Sequence, residues 1–315
     1  GGSLDAILQW AANSPVNGWL DGFLSSAKAT GNARLNLALS MPLDAPETTQ
    51  LSGELALAGN RVDLGGDIPA LDAVNGKVRF TQADVRVTDL AAEALGGPLR
   101  LSIGTENGRI AAHASGTAML ERVRERYAYP LVERLTGNAQ WQLDYTQPPR
   151  LGSNAVTAQE GGLQLTATAI QPRWPLDNVM QVGSTPRDAA APIKAVLQRT
   201  SLDKGRDRVT VDIPGQLHSI LERSAPSASG LRTVERATLD LGNQRTALPA
   251  RGYALRGELA RIDADVAMAL LTSASASGGK AVGGLTNESS GADFVNINLR
   301  AGEAVLYGHR FHDVT

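Results

Sequence analysis

The 315-residue sequence has no cysteine, so no disulfide holds the fold, and the zero count fits oxidising and reducing compartments alike. Aromatic residues are scarce at 4%, too few for a compact sandwich whose core leans on large rings. Neither charge sign is in excess. Lys and Arg number 30 against 32 Asp and Glu, and the formal net charge is -2. No basic field draws the chain to nucleic acid. No stretch approaches the ~20 apolar residues of a membrane-spanning helix. The first residues, GGSLDAILQW, lack the basic start, apolar run and cleavage site of a signal peptide. The last, INLRAGEAVLYGHRFHDVT, stop within a strand-like pattern. The chain therefore reads as an internal piece of a longer protein, with targeting signals outside it. Its length suffices for one large β domain or two smaller ones.

What the sequence does have is alternation. In GNARLNLALS, Leu35, Leu37 and Leu39 alternate with Arg34, Asn36 and Ala38. In VNGKVRF, Val78 and Phe80 point one way, Lys77 and Arg79 the other. A period of two means a strand with one apolar and one wet face. The same parity marks Leu55 and Leu57, Val85 and Val87, then Leu99, Leu101 and Ile103. Further on it marks Trp141 and Leu143, Leu163 and Leu165, Val209 and Val211, Leu239 and Leu241, Ile297 and Leu299. A long row of such strands predicts an extended, mainly antiparallel sheet with one apolar side. What covers that side is the functional question.

The organisation follows from where the alternation stops. Residues 1–30 form a helical opening segment. Leu4, Ile7, Leu8 and Ala11 recur at helix spacing, and Ser14-Pro15 starts a second helix carrying Val16, Trp19, Leu20, Phe23 and Leu24 on one stripe. Residues 31–117 are a first β run, in which Gly59-Asn60, Asn75-Gly76 and Asn107-Gly108 read as hairpin turns. Residues 118–136 form a helix with Leu120, Val123, Tyr127, Leu131 and Leu135 on one face, kinked at Pro130. Residues 137–315 are a second β run. Within it, QPRWPLDNV is an irregular connection, DADVAMALL a short helix capped by Asp263 or Asp265, and 272–292 a low-complexity mobile loop.

Motifs that carry chemistry are missing from this pattern. There is no phosphate loop, nucleophile elbow, HExxH or dinucleotide fingerprint. His309 and His312, three apart in a strand or turn, fall on opposite faces rather than on one metal. Asp263 and Asp265 suit a helix start. Arg122, Arg124 and Arg126 could meet anionic headgroups, but Glu121 and Glu125 between them describe a solvated helix face. No catalytic, metal or cofactor site is predicted. The alternating faces carry the functional argument, since few rings are available to close a thick core over them.

The order of these phrases resembles the AsmA-like envelope proteins, most closely the YhdP type. SPVNGWLDGFLSSAKATGNARLNLALSMPLD is similar to that family's helix followed by G-x-x-x-L-x-L-x-L-x-x-P-L. LSGELALAGNRVDL, LDAVNGKVRFTQADVRVTDLAAEALGGPLRLSI, LTGNAQWQLDY, YALRGELARIDADVAMALL and VNINLRAGEAVLYGHRFHDV follow in the family's order. The chain departs at 163–193, where ATAIQPRWPLD stands in place of a Leu-Pro-x-Pro-Leu segment. The resemblance implies a periplasmic protein of Gram-negative bacteria, anchored in the inner membrane by an N-terminal helix outside this chain. It implies a sheet bent into a U-shaped open groove that moves phospholipid toward the outer membrane. About 18 strands at ~4.8 Å each would give a groove on the order of 85 Å long. The apolar-parity residues named above would then line the groove against acyl chains, while Arg34, Lys77, Arg79 and Arg86 face solvent. Partners at the outer membrane or in the periplasm fit the same expectation. The rival reading is a β-solenoid segment of a surface adhesin, which predicts a dry interior and a regular rung repeat, and no clean repeat is found. An enzyme on a β scaffold lacks any motif to support it.

Overall fold

A computed structural model describes residues 1–13, 24, 27–40, 50–65, 68–81, 84–106, 109–126, 137–147, 162–170, 180–182, 191–225, 232–265 and 294–315. Among the described residues the chain is mainly β, with 18 strands and two short α-helices. It forms two compact units, Gly1–Ala118 with Gln142–Leu151, and Met119–Trp141 with Gly152–Thr315. The second predicted helix, the kink at Pro130, and the segment 272–292 lie outside the described residues.

In the first unit a short strand β1 (Gly2–Ser3) leads into α1 (Leu4–Ala12). Then come β2 (Lys28–Thr30), β3 (Asn32–Ser40), β4 (Gln50–Asp63), β5 (Leu71–Thr81), β6 (Val85–Ala94), β7 (Gly97–Glu106) and β8 (Arg109–Met119). Strands β3 to β8 pair in sequence, each antiparallel to the next. Consecutive pairing is what short polar connections between amphipathic strands dictate. Helix α1 sits where β2 and β3 part. The Leu4 amide donates to the Gly31 carbonyl at 2.9 Å, and the Asp5 carboxylate accepts from the Ala29 amide at 3.1 Å. Its apolar stripe buries Leu4 against Ala29, Ala33, Leu55, Leu57 and Val62.

Two of the three expected hairpin turns are corrected. Gly59-Asn60 lies inside β4 and Asn75-Gly76 inside β5, both at register shifts. They are bulges, because their side chains bond sideways to neighbouring strands instead of closing a loop. Buried Asn60 donates through Nδ2 to the Thr30 and Asn32 carbonyls at 3.3 and 3.1 Å, pinning the break at Gly31. Asn75 accepts from the Gly59 amide at 3.0 Å. A further shift between Val87 and Leu90 continues this line of bulges into β6 and β7. Bulges bend strands and raise their twist. The turn joining β6 and β7 is Leu95-Gly96, both at positive φ, as a tight two-residue hairpin requires.

The second unit contains α2 (Leu120–Arg126), β10 (Gly162–Ile170), β11 (Met180–Val182), β12 (Ile193–Ser201), β13 (Asp207–Ile213), β14 (Leu217–Arg223), β15 (Val234–Leu241), β16 (Gly252–Asp263), β17 (Phe294–Leu306) and β18 (His309–Val314). Strand β9 (Asn138–Thr146) divides between the units. The order is β10-β12-β13-β14-β15-β16-β17-β18. The sheet is mixed, because β16 runs parallel to both β15 and β17. Strand β11 takes up the edge of β16 at Leu259–Ile262, past the last residue that β15 pairs. Ile193, Ile213, Leu217, Leu241, Leu259 and Ala301 form the buried core at one end of the strands.

Ala264 and Asp265 are helical, directly after the expected cap Asp263, and Asp265 also holds a turn. Its carboxylate accepts from the Tyr307 and Gly308 amides at 2.8 and 3.1 Å, at the β17–β18 hairpin. Tyr307 and Gly308 both have positive φ, which turns their amides to the same side.

Candidate functional site

The register brings the alternating side chains of the first unit onto one face. Leu35, Leu37 and Leu39 stand opposite Leu55, Gly53 and Leu51. Leu55 and Gly53 in turn face Val78 and Phe80, and Phe80 faces Val85. Val87 pairs with Ile103, Leu90 with Leu101, and Ala92 with Leu99. Parity thus survives the bulges, because each shift preserves the apolar side on both strands. Gly53 leaves a gap that the Phe80 ring fills. A Cβ on Gly53 would lie 2.3 Å from Phe80 Cζ. Leu37 and Leu39 are open to solvent, at 44% and 65% exposure. Leu55 and Leu57 lie under α1, while Val87, Leu90 and Leu99 are buried. The face therefore grades from a covered end to an open one.

The reverse side of that unit is charged and wet. Lys77 and Arg79 both bond Glu54, each at 2.9 Å. The two cations hold the Glu54 carboxyl below its ordinary range, Lys77 most strongly. Asp89 binds Arg100 at 2.7 Å, and His113 Nδ1 meets the Asp144 carboxylate at 2.7 Å. Arg34, Lys77, Arg79 and Arg86 are all exposed. Trp141 and Leu143 share a parity opposite to Asp144 on β9 and are half-buried.

In the second unit the rows read across the strands. One runs Leu163, Arg199, Val209, Leu221 and Ala237. The next runs Leu165, Leu197, Val211, Ser219, Leu239, Leu255 and Ile297. Leu239 and Ile297 are open to solvent, Leu241 is buried in the core and Leu299 packs beside it. The unit's other face carries Arg208 and Arg236 on Glu222 at 2.6 and 2.7 Å. Burial alone would raise the Glu222 carboxyl, but the two guanidinium groups outweigh it and the net shift is downward. The connection 242–251 straps across this face. Asp240, fully buried, accepts from the Thr246 amide at 2.9 Å and hydroxyl at 2.6 Å, and Arg245 bonds Asp212 at 2.7 Å.

The alternation of residue types did not single out one group. Asp207 is buried on the apolar parity of β13 and is gripped by Arg199, Arg223 and Arg232 at 2.7, 2.8 and 3.7 Å. The signal for it was present: Asp207 is in phase with Val209 and Val211, and Arg199 with Leu197. A charge on an apolar parity needs a partner on the same face.

The described residues hold no helix long and apolar enough to cross a membrane, and no cluster of three His, Asp or Glu side chains placed to hold a metal. No curated protein and no solved structure matches the chain. A family model described as YhdP protein matches residues 1–315, so the chain with these apolar-faced sheets belongs to the YhdP family, an envelope family of transport-related rather than catalytic type.

Proposed function

We propose that the apolar sheet faces carry phospholipid acyl chains, and that the protein moves phospholipid between the two membranes of a Gram-negative envelope without catalysing a reaction. The observation that carries this reading is the open stretch of apolar face at Leu37 and Leu39, with the Glu54, Lys77 and Arg79 cluster on the reverse side of the sheet. A leucine left 65% exposed beside other aliphatic residues contributes little to stability, so its retention on that parity suits a ligand.

The energetics favour such a surface. Each methylene exposed to water costs about 0.8 kcal/mol, so a 16-carbon chain costs roughly 12 kcal/mol. An aliphatic face with few rings removes part of that cost without a deep specific pocket that would trap the ligand. The headgroup stays in solvent. On this reading the protein works in the periplasm, tethered to the inner membrane, and supports outer-membrane lipid homeostasis. The adhesin-like solenoid stacks its rungs as parallel strands, whereas β3 to β8 and β12 to β15 pair antiparallel in sequence.

A photo-crosslinking amino acid at Leu37 is expected to capture phospholipid in Gram-negative cells, and the same group at Lys77 or Arg79 is not. Equal capture from both faces, or none from Leu37, would refute the reading.

A further inference from the structure

Three guanidinium groups converge on one carboxylate at the end of the second unit's apolar face. Arg199 Nε bonds Asp207 Oδ2 at 2.7 Å. Arg223 bonds the same carboxylate through Nε at 2.9 Å and Nη2 at 2.8 Å. Arg232 Nε lies 3.7 Å away, its Nη1 donating to the Gly205 and Ser224 carbonyls at 2.8 and 2.9 Å. Burial pushes the Asp207 carboxyl up, but the arginines, led by Arg223, overcome it and keep it ionised.

The three arginines differ in what they present outward. Arg223 and Arg232 are mostly covered, with side-chain exposures of 21% and 18%. Arg199 is 38% exposed, and its two Nη groups meet no acceptor among the described residues. Its Nε is fixed on Asp207, so the planar fork is held with its outer edge free. That edge matches the geometry of a phosphate, which takes two parallel N–H donors. The neighbours of Arg199 in its own row are Leu163 and Val209, and the row beside it holds Leu197 and Val211. Successive residues on one strand face are about 7 Å apart. A ligand with its phosphate on Arg199 has aliphatic surface at once beneath its tail.

We infer that Arg199, buttressed by Asp207 with Arg223 and Arg232, seats the phosphate of a phospholipid headgroup at the end of the second unit's apolar face. The inference rests on the acyl-chain reading of that face and adds to it where a headgroup docks. Arg199 touches the ligand. Asp207 is a positioning residue, since its carboxylate would repel the phosphate if it met it directly.

Titration calorimetry of the whole chain against three probes tests this: dihexanoyl phosphatidylglycerol, dihexanoylglycerol without phosphate, and inorganic phosphate. Arg199→Gln is the variant, because Arg223 and Arg232 still neutralise Asp207, and Arg34→Gln on the other unit's polar face is the control. Phosphatidylglycerol is expected to bind at least about tenfold more weakly to Arg199→Gln, the loss of a charge-assisted pair. Dihexanoylglycerol is expected to bind both proteins alike, which also reports that the variant is folded. Arg34→Gln is expected to change neither. If both lipids bind alike and Arg199→Gln changes neither, the headgroup seat is overturned while the apolar-face reading stands. If inorganic phosphate binds as tightly as the lipid, and through Arg199, the site serves free phosphate and the headgroup reading is overturned. If neither lipid binds, the seat and the apolar-face reading fall together.

Discussion

At the residue scale, the chain uses buried carboxylates as anchors for arginine. Asp207 and Glu222 sit on adjacent strands and opposite faces, each nearly inaccessible and each met by two or more guanidinium groups. Both carboxyls are held below their ordinary ranges, for burial raises them and the arginines lower them further. The unfolded chain therefore takes up protons at a higher pH than the folded one. The stability these groups contribute is fully present above the usual carboxylate range, around pH 4 to 5, and is lost as pH falls through the lowered folded values. Thermal unfolding followed from pH 7 to pH 3 is expected to show a falling midpoint. The double variant Asp207→Asn with Glu222→Gln is expected to be less stable at pH 7, by about 3–5 kcal/mol for each network broken, and to lose much of that acid slope. An unchanged slope would show that other carboxylates set the acid limit.

At the scale of elements, the strap 242–251 explains how two neighbouring strands come to be parallel. A parallel pair needs a crossover of at least ten or so residues, usually helical. Here the crossover is irregular and is tied down by side chains. Asp240 accepts twice from Thr246, Arg245 reaches Asp212, and Arg236 donates to the Pro249 carbonyl at 3.2 Å. A segment without regular backbone pairing depends on such bonds for its order. Asp240→Ala is expected to speed amide hydrogen exchange across 242–251 by about tenfold or more, with little change in β12 to β14. Uniform acceleration through the unit would show that Asp240 supports the whole sheet rather than the strap. Helix α1 has a comparable role in the first unit, where it covers Leu55 and Leu57 and leaves Leu37 and Leu39 open.

At the scale of the molecule, each unit presents one aliphatic and one charged face, and the open and covered parts of the aliphatic face differ in what they tolerate. An arginine at exposed Leu37 can keep its charge in water along an apolar stem. An arginine at Leu90, which is 4% exposed, cannot. Leu37→Arg is expected to leave the thermal midpoint within a few degrees while lowering the lipid that mass spectrometry finds extracted with the purified chain. Leu90→Arg is expected to unfold the first unit. If Leu37→Arg unfolds the chain as Leu90→Arg does, the open stretch is part of a sealed core and no lipid surface exists there.

The alternation of Leu35, Leu37 and Leu39 against Arg34 and Asn36, repeated strand after strand, determined the β class and which residues share a face. A strand's side chains have a period of two whatever the strand pairs with, so parity is a local property. The helix spacing of Leu4, Ile7 and Leu8 was equally local, and α1 is there. The asparagine–glycine pairs misled at Gly59-Asn60 and Asn75-Gly76, because the same dipeptide serves a hairpin or a bulge and only the neighbouring strand decides which. The parallel placement of β16 between β15 and β17 was not legible either, since strand direction depends on where a connection crosses and not on what the strand contains. Asp207 and its arginines come from three strands and a connection, at positions 199, 207, 223 and 232. Their residue types announced only that a charge stood on an apolar parity. Which charges met, and that they met at the end of an aliphatic row, was decided by register, which is a property of pairs of strands and of no single segment.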